Sequence, residues 1–128
     1  MKHQLLYWAP RGIAAAILAQ TLFFKFTAAP ESVYIFSTLG MEPYGRIGSG
    51  IAELIAAAAL MIPAVSVYGA LLALGVMGGA ILSHLTKLGI VVMDDGGQLF
   101  GLAVVTALCC AYIVYTERQT LLKWIGWD

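Results

Sequence analysis

Four long apolar stretches dominate the chain, and residues that break helices or carry charge separate them. They cover about residues 8–26, 44–62, 65–85 and 98–115. Each comes close to the roughly 20 apolar residues that an α-helix needs to cross the hydrocarbon core of a bilayer. The pattern therefore predicts an all-α integral membrane protein, a four-helix bundle in which residues 1–128 form a single domain.

The segments between and after these stretches predict two further elements. Residues 28–43 contain Pro30 where a helix tends to begin and Gly40 where one tends to end, which predicts a short interfacial or re-entrant helix between the first and second spans. The C-terminal segment "TERQTLLKWIGWD" (116–128) mixes leucine, isoleucine and tryptophan with two basic residues. That mixture is typical of an amphipathic tail at the membrane surface.

Composition supports the membrane assignment and removes several classes of function. The 128 residues are 61% hydrophobic and 11% charged, with a mean hydropathy of +0.88, whereas soluble domains carry about 25% charged residues. The formal net charge is zero, so no basic excess indicates nucleic-acid binding. Cys109 and Cys110 are adjacent inside an apolar stretch, without the spacing of a redox or metal pair, and packing is their favoured role.

The first apolar stretch is interpreted as a retained span. Residues 8–26 exceed the apolar region of a signal peptide and end beside Lys25, and Pro10 suits the first turn of a helix. Four alternating spans put both termini on one side, together with a set of basic residues: Lys2, Arg11, Arg118 and Lys123. This distribution predicts cytoplasmic termini in the cell (inner) membrane.

Four alternating spans also bring the polar residues of the spans into the same half of the bilayer, whichever face is outside. Charged groups at depth cost roughly 2.5–3.5 kcal/mol on insertion scales, so they normally face the bundle interior and have partners. We expect one pocket in this half, lined by Gln20, Lys25, Arg46, Gly50, Glu53, Met77, His84 and Gln98. The other half is expected to hold almost no ionisable groups.

Glu53 is the strongest single candidate in this pocket, because it lies about two helical turns inside the second span. Its functional interpretation is a catalytic, proton-handling or ligand-binding acid. Its structural interpretation is a hydrogen bond or ion pair with Lys25, Arg46, Gln20 or His84. The sequence leaves both interpretations open.

The remaining polar residues show no familiar catalytic arrangement. The sequence lacks nucleophile-elbow, phosphate-loop, zinc-protease and dinucleotide motifs. Neither a metal nor a haem is predicted, because one histidine within the spans and scattered carboxylates do not form a ligand set. Asp94 and Asp95 are interpreted as a solvated turn that caps the fourth helix.

Small residues recur every four positions in the last three stretches. They are Gly48, Ala52 and Ala56, then Gly75, Gly79 and Ser83, and finally Gly97 and Gly101. Such faces allow helices to approach closely in lipid. They fit packing within one bundle and a homo-oligomer equally well.

Several segments, in their order and spacing, resemble the DoxX and DoxX-like family of small four-helix membrane proteins. The segments are "FFKF" (23–26), "FSTLG" (36–40), "GSGIAELIAAAALMIP" (48–63), "AILSHLTKLG" (80–89) and "GGQLFGLAVVTAL" (96–108). Together they cover nearly the whole chain. Lys25, Glu53 and His84 match positions that the family tends to keep polar, whereas Gln98 stands where many members carry Glu.

The resemblance implies a membrane subunit or partner of a redox system, since family members include a subunit of a thiosulfate:quinone oxidoreductase. The implied cofactor is a bound quinone or lipid, and the implied partners are membrane lipid and a soluble or membrane oxidoreductase subunit. Arg46, His84 or Lys25 would donate hydrogen bonds to carbonyl oxygens, and Glu53 would handle a proton. On this interpretation the chain is not an enzyme on its own.

Two other classes of function stay open. A non-enzymatic assembly factor or scaffold would use its buried charges only to fix the helices, and the absence of catalytic motifs agrees with it. A small-molecule transporter is the weaker alternative, because the polar residues are expected in only one half of the membrane.

Overall fold

The computed structural model describes residues 2–126, apart from the side chain of Lys2, and these residues form helices and turns with no strand among them. The helices are α1 (Lys2–Phe26), α2 (Pro30–Thr38), α3 (Tyr44–Leu60), α4 (Ser66–Ser83), α5 (Gln98–Thr116) and α6 (Arg118–Trp124). A π-helical turn, His84–Leu88, continues α4. The all-α prediction is confirmed. Trp127, part of the predicted amphipathic tail, lies outside the described residues.

The four long helices contact one another in a closed ring. Helix α1 packs against α3 and α5, and α4 packs against the same two helices. The centre of the ring is an apolar core that includes Ala14, Leu18, Ala56, Ala73 and Ile113. Cys110 is buried in this core and Cys109 packs against it, and both are free thiols. Short α2 leans on α1, α3 and the π-helical turn.

Two of these helices are long and apolar enough to cross a membrane: Ser66–Leu88 and Gln98–Thr116. A third span is counted if His3–Phe26 and Pro30–Thr38, which meet at a bend of 84°, are taken as one broken span. Helix α3 has 17 residues, or roughly 26 Å at 1.5 Å per residue, which is short for a hydrocarbon core of about 30 Å. The four predicted spans thus correspond to four packed helices, of which α3 is the shortest.

The first helix begins earlier than the sequence pattern predicts. Pro10 lies inside α1, eight residues after Lys2, rather than in its first turn. Proline removes one backbone donor and crowds the preceding turn. Membrane helices tolerate proline in their interior where neighbouring groups satisfy the freed backbone.

Helices α3 and α4 approach each other closely after the short turn that joins them. A Cβ atom built on Gly69 would lie 2.8 Å from Ala59 Cβ and 3.0 Å from both the carbonyl oxygen of Ala56 and the amide nitrogen of Leu60. Backbone atoms cannot move aside as a flexible side chain can. Glycine at this position therefore allows the α3–α4 contact.

We expect Gly69→Ala to lower the melting temperature of the detergent-solubilised protein, with a loss of about 1–3 kcal/mol in the free energy of unfolding from overpacking. The matched control is Gly78→Ala in the same helix, where an added Cβ meets no atom within 4 Å. There the better helix propensity of alanine, up to about 1 kcal/mol, should raise the melting temperature. Equal shifts for the two variants in a thermal-unfolding assay would contradict this account of the contact.

Candidate functional site

A cavity of about 520 Å³ lies at one end of the helix ring, where the end of α1, the start of α5 and the π-helical turn surround it together with α2. Most of its lining is apolar, contributed by residues such as Leu18, Val76 and Leu102. Six of the eight residues expected in one pocket line this cavity: Gln20, Lys25, Glu53, Met77, His84 and Gln98. The structure thus brings together residues from α1, α3, α4 and α5.

The floor of the cavity contains a buried ion pair between α1 and α3. Glu53 is only 1% exposed, and its Oε1 accepts a hydrogen bond from Lys25 Nζ at 2.6 Å. Its Oε2 accepts a second hydrogen bond from Thr21 Oγ1 at 3.2 Å. A buried carboxylate needs such partners, because burial without compensation is strongly unfavourable. Of the four partners considered for Glu53, the structure selects Lys25 and adds Thr21.

Arg46 and Gly50 lie close to the cavity but do not line it. Arg46 is 8% exposed, and its Nε donates to both carboxylate oxygens of Glu42, at 2.9 and 3.0 Å. Its Nη1 donates to the backbone carbonyl of Lys25. Gly50 packs against Phe26, whose ring atom Cε1 would be 2.9 Å from an added Cβ. Both residues therefore hold the end of α1 against the start of α3.

His84 lies at the junction between α4 and the π-helical turn, and it is 5% exposed. Its Nδ1 is 2.9 Å from the carbonyl oxygen of Gly89. A carbonyl only accepts hydrogen bonds, so Nδ1 carries a proton, and in the corresponding neutral tautomer Nε2 is an acceptor. The ring edge also contacts Phe100 at a centroid distance of 5.5 Å.

The Asp94–Asp95 turn closes the same end of the cavity, and Asp95 is among the lining residues. Asp95 Oδ1 accepts hydrogen bonds from the amides of Val92 and Gly97, and Oδ2 accepts one from Leu99 in the first turn of α5. Burial alone would raise the pKa of this carboxyl, but the three amide donors hold the pKa of Asp95 below its usual value. The predicted cap of the fourth helix is confirmed for Asp95.

The small-residue face of α4 has a different role from the packing that its spacing predicts. Gly75, Gly79 and Ser83 line the cavity. A Cβ atom built on either glycine meets no atom within 4 Å. Within the described chain, these glycines therefore create free volume beside the cavity instead of a helix contact.

A second buried ion pair lies at the opposite end of the ring, where almost no ionisable groups were expected. Arg11 is 1% exposed, and its Nη2 donates to Glu117 Oε2. Its Nε donates to Ser66 Oγ at 3.3 Å, and Ser66 in turn donates to Glu117 at 3.0 Å. Arg11 also lies over the ring of Tyr7, 3.6 Å from its centroid.

The expectation for that half of the protein was therefore wrong. Arg11 was assigned to the charged flank of the first span, but it faces inward and joins α1 to the first residue of α4 and to Glu117 between α5 and α6. One signal in the sequence could have revealed it: Arg11 falls inside the apolar stretch 8–26, where a charge needs a partner.

The two polar ends are separated by apolar packing. On α1, Ala14 and Leu18 lie between Arg11 and Lys25, and both are fully buried. On α5, buried Cys110 and other core residues lie between Gln98 and the end of the helix. The structure therefore has two polar layers with an apolar core between them.

An all-helical chain with helices apolar enough to span a bilayer, and with charged groups buried in pairs, defines a small helical membrane protein. The sequence matches the family model of the DoxX-like family over residues 9–114, and the chain belongs to that family. No curated protein and no solved structure gives a significant match to it.

Proposed function

We propose that this protein is a small membrane subunit or partner of a redox system, and that its cavity binds a quinone-like, lipid-soluble compound. The observation that carries the proposal is the cavity itself, which combines apolar walls with a polar end at Lys25, Glu53 and His84. Its volume of about 520 Å³ falls in the range of about 300–1,000 Å³ that is typical of small-molecule sites.

The residues of the polar end have complementary roles in this proposal. The ammonium group of Lys25 donates one hydrogen bond to Glu53, which leaves two donors for a carbonyl oxygen of the ligand. The amides of Gln20 and Gln98 provide further donors. Glu53 is the proton-handling group, because it is the buried acid in direct contact with Lys25. Arg46 has no part in binding, because it does not line the cavity and its Nε and Nη1 donate to Glu42 and to the Lys25 carbonyl.

Electron exchange with such a ligand requires a partner, and we propose an oxidoreductase subunit in that role. In the same proposal the protein lies in the inner membrane with both termini in the cytoplasm. The exposed basic residues support this orientation: Arg118 and Lys123 lie in α6 beside the C-terminus, whereas at the other end Lys87 is exposed and Lys25 and Arg46 are paired.

We expect Gly79→Leu to abolish co-purification of the lipid-soluble compound while leaving the fold intact, because the new side chain would occupy free volume at the cavity. The matched control is Gly78→Leu, which lies next to it, has equally open surroundings and does not line the cavity. Mass spectrometry of solvent extracts from the purified proteins measures the compound, and a thermal-unfolding assay measures the fold. Undiminished ligand in the Gly79 variant would refute the proposed site.

A second candidate is a non-enzymatic assembly factor or scaffold, and one observation favours it. Every buried side-chain nitrogen and oxygen in the described part of the chain has a hydrogen-bond partner, so the buried charges already satisfy one another. On this hypothesis the variants that empty or fill the cavity leave the assembly of the partner complex unchanged.

A further inference from the structure

The charges around the cavity are unbalanced, and this bears on which ligands can enter it. Three carboxylates line it, those of Glu31, Glu53 and Asp95, against the single ammonium group of Lys25, which leaves a formal charge of −2 with His84 neutral. Lys25 is already committed to Glu53 at 2.6 Å. An anionic headgroup would therefore find no unpaired cation at the polar end.

The two remaining carboxylates have separate structural surroundings. Asp95 is fixed by amide donors from Val92, Gly97 and Leu99, which favour its charged form. Glu31 lies in the first turn of α2, where the positive end of the helix dipole favours an acidic side chain. Arg46, the other buried cation of this end, does not line the cavity and is bonded to Glu42.

The hydrogen-bonding groups of the polar end include an unused acceptor. His84 is 95% buried, and its Nδ1 is bonded to the Gly89 carbonyl. The described residues provide no partner for Nε2, and no fully buried polar atom among them is left without one. Because His84 lines the cavity, its Nε2 is reachable from the cavity as an acceptor.

We infer that the cavity selects uncharged or cationic amphiphiles and excludes anionic ones, with Glu31 and Asp95 setting this preference. The inference rests on the proposed ligand-binding function and adds the chemical class of the ligand. A carbonyl oxygen of the ligand accepts a hydrogen bond from Lys25, whereas a hydroxyl or ammonium donor is bound by Nε2 of His84. Either headgroup faces the two carboxylates. The alkyl or ring portion lies along the apolar wall of α1, α4 and α5.

Three probes with the same alkyl chain test the inference: 1-dodecanol, dodecylamine and 1-dodecanesulfonate. Binding of each radiolabelled probe to the purified protein in a zwitterionic detergent is measured at neutral pH. Cavity binding is taken as the part of the bound probe that is lost in Gly79→Leu. Probe that merely partitions into the detergent micelle is common to both proteins and cancels in this difference. We expect the sulfonate to bind the cavity at least about tenfold more weakly than the alcohol and the amine.

Neutralising the carboxylates of Glu31 and Asp95 should reduce the difference in cavity binding between the sulfonate and the uncharged alcohol. Glu31→Gln combined with Asp95→Asn is expected to bring cavity binding of the sulfonate close to that of the alcohol. The control Asp94→Asn removes an adjacent acid that does not line the cavity and should leave the order of affinities unchanged. The single variant Glu31→Gln tests one carboxylate while leaving intact the hydrogen bonds by which Asp95 caps α5.

Each outcome supports or overturns a stated claim. Equal cavity binding of all three probes to the wild-type protein overturns the charge preference and leaves the proposed binding site intact. A preference that persists in the neutralised variants overturns the assignment to Glu31 and Asp95. Probe binding that Gly79→Leu does not reduce for any of the three overturns the proposed site itself.

Discussion

Removing the carboxylate of Glu53 alone is expected to destabilise the protein far more than removing both members of its ion pair. Glu53→Leu leaves the Lys25 ammonium, which now bonds Glu53 Oε1 at 2.6 Å, without its counter-charge. Breaking a buried ion pair in this way typically costs about 3–5 kcal/mol. The double variant Lys25→Met with Glu53→Leu removes both charges and should unfold close to the wild-type temperature.

The same double variant distinguishes the two proposed functions, because it is expected to keep the fold while removing the Lys25–Glu53 ion pair from the cavity. Loss of the co-purified compound from a stable double variant supports the ligand-binding role. Retained compound, or a double variant as unstable as the single one, contradicts the assignment of this pair to the site. Asp94→Asn is a suitable control, because it removes an exposed charge of the same end and asparagine tolerates the positive φ of this position.

The second large effect is expected at the opposite end of the protein. Glu117→Leu leaves the fully buried guanidinium of Arg11 with only the Tyr7 carbonyl and Ser66 as partners. We expect a loss of about 3–5 kcal/mol in the free energy of unfolding, again recovered when Arg11→Met is added. Thermal unfolding in detergent measures both, and Arg118→Met, at the next and exposed position, should change little.

The Arg11–Glu117 pair should not affect the cavity, because an apolar core separates the two polar layers. The Arg11→Met, Glu117→Leu protein is therefore expected to retain its co-purified compound at the wild-type level. A stable double variant that loses the compound would show that the two ends are coupled, and would contradict the separation described here.

The helices were predictable because the apolar stretches are long and uninterrupted. Stretches 44–62 and 98–115 end within two residues of α3 and α5. Local signals mark the ends well, since Pro30 begins α2 and Gly89, with a φ of +79°, ends the π-helical turn. The π-helical turn itself was not predicted, because apolar periodicity over five residues does not distinguish it from an α-helix.

The sequence predicted at which end of the bundle the site residues lie, but not which way their side chains point. Counting residues along alternating helices places Lys25, Arg46 and Glu53 at one end, and the structure keeps all three there. Which way each side chain points depends on the rotation of each helix, set by packing across the ring. Arg46 therefore bonds the end of α1 to the start of α3 and does not line the cavity.

The pair at the other end was missed for a related reason. Arg11 and Glu117 are 106 positions apart, and each lies near the end of an apolar stretch, where a charge is ordinarily solvated. Only the packing of α1 against α5 turns two flanking charges into a buried pair. The position of Arg11 inside an apolar stretch indicates that it needs a partner, but a single sequence has no pattern that identifies Glu117 as that partner.

The position of these pairs also bears on how the chain is inserted into a membrane during synthesis. Helix α1 carries Arg11 and Lys25, and both cations depend on acids made later. Glu53 is 28 positions after Lys25, so this pair can form once α3 has left the ribosome. The pair between Arg11 and Glu117 can form only after the end of α5 has been translated. Helix α1 therefore keeps an uncompensated charge until the last long helix has been made, and a chain truncated before Glu117 would lack the counter-charge of Arg11.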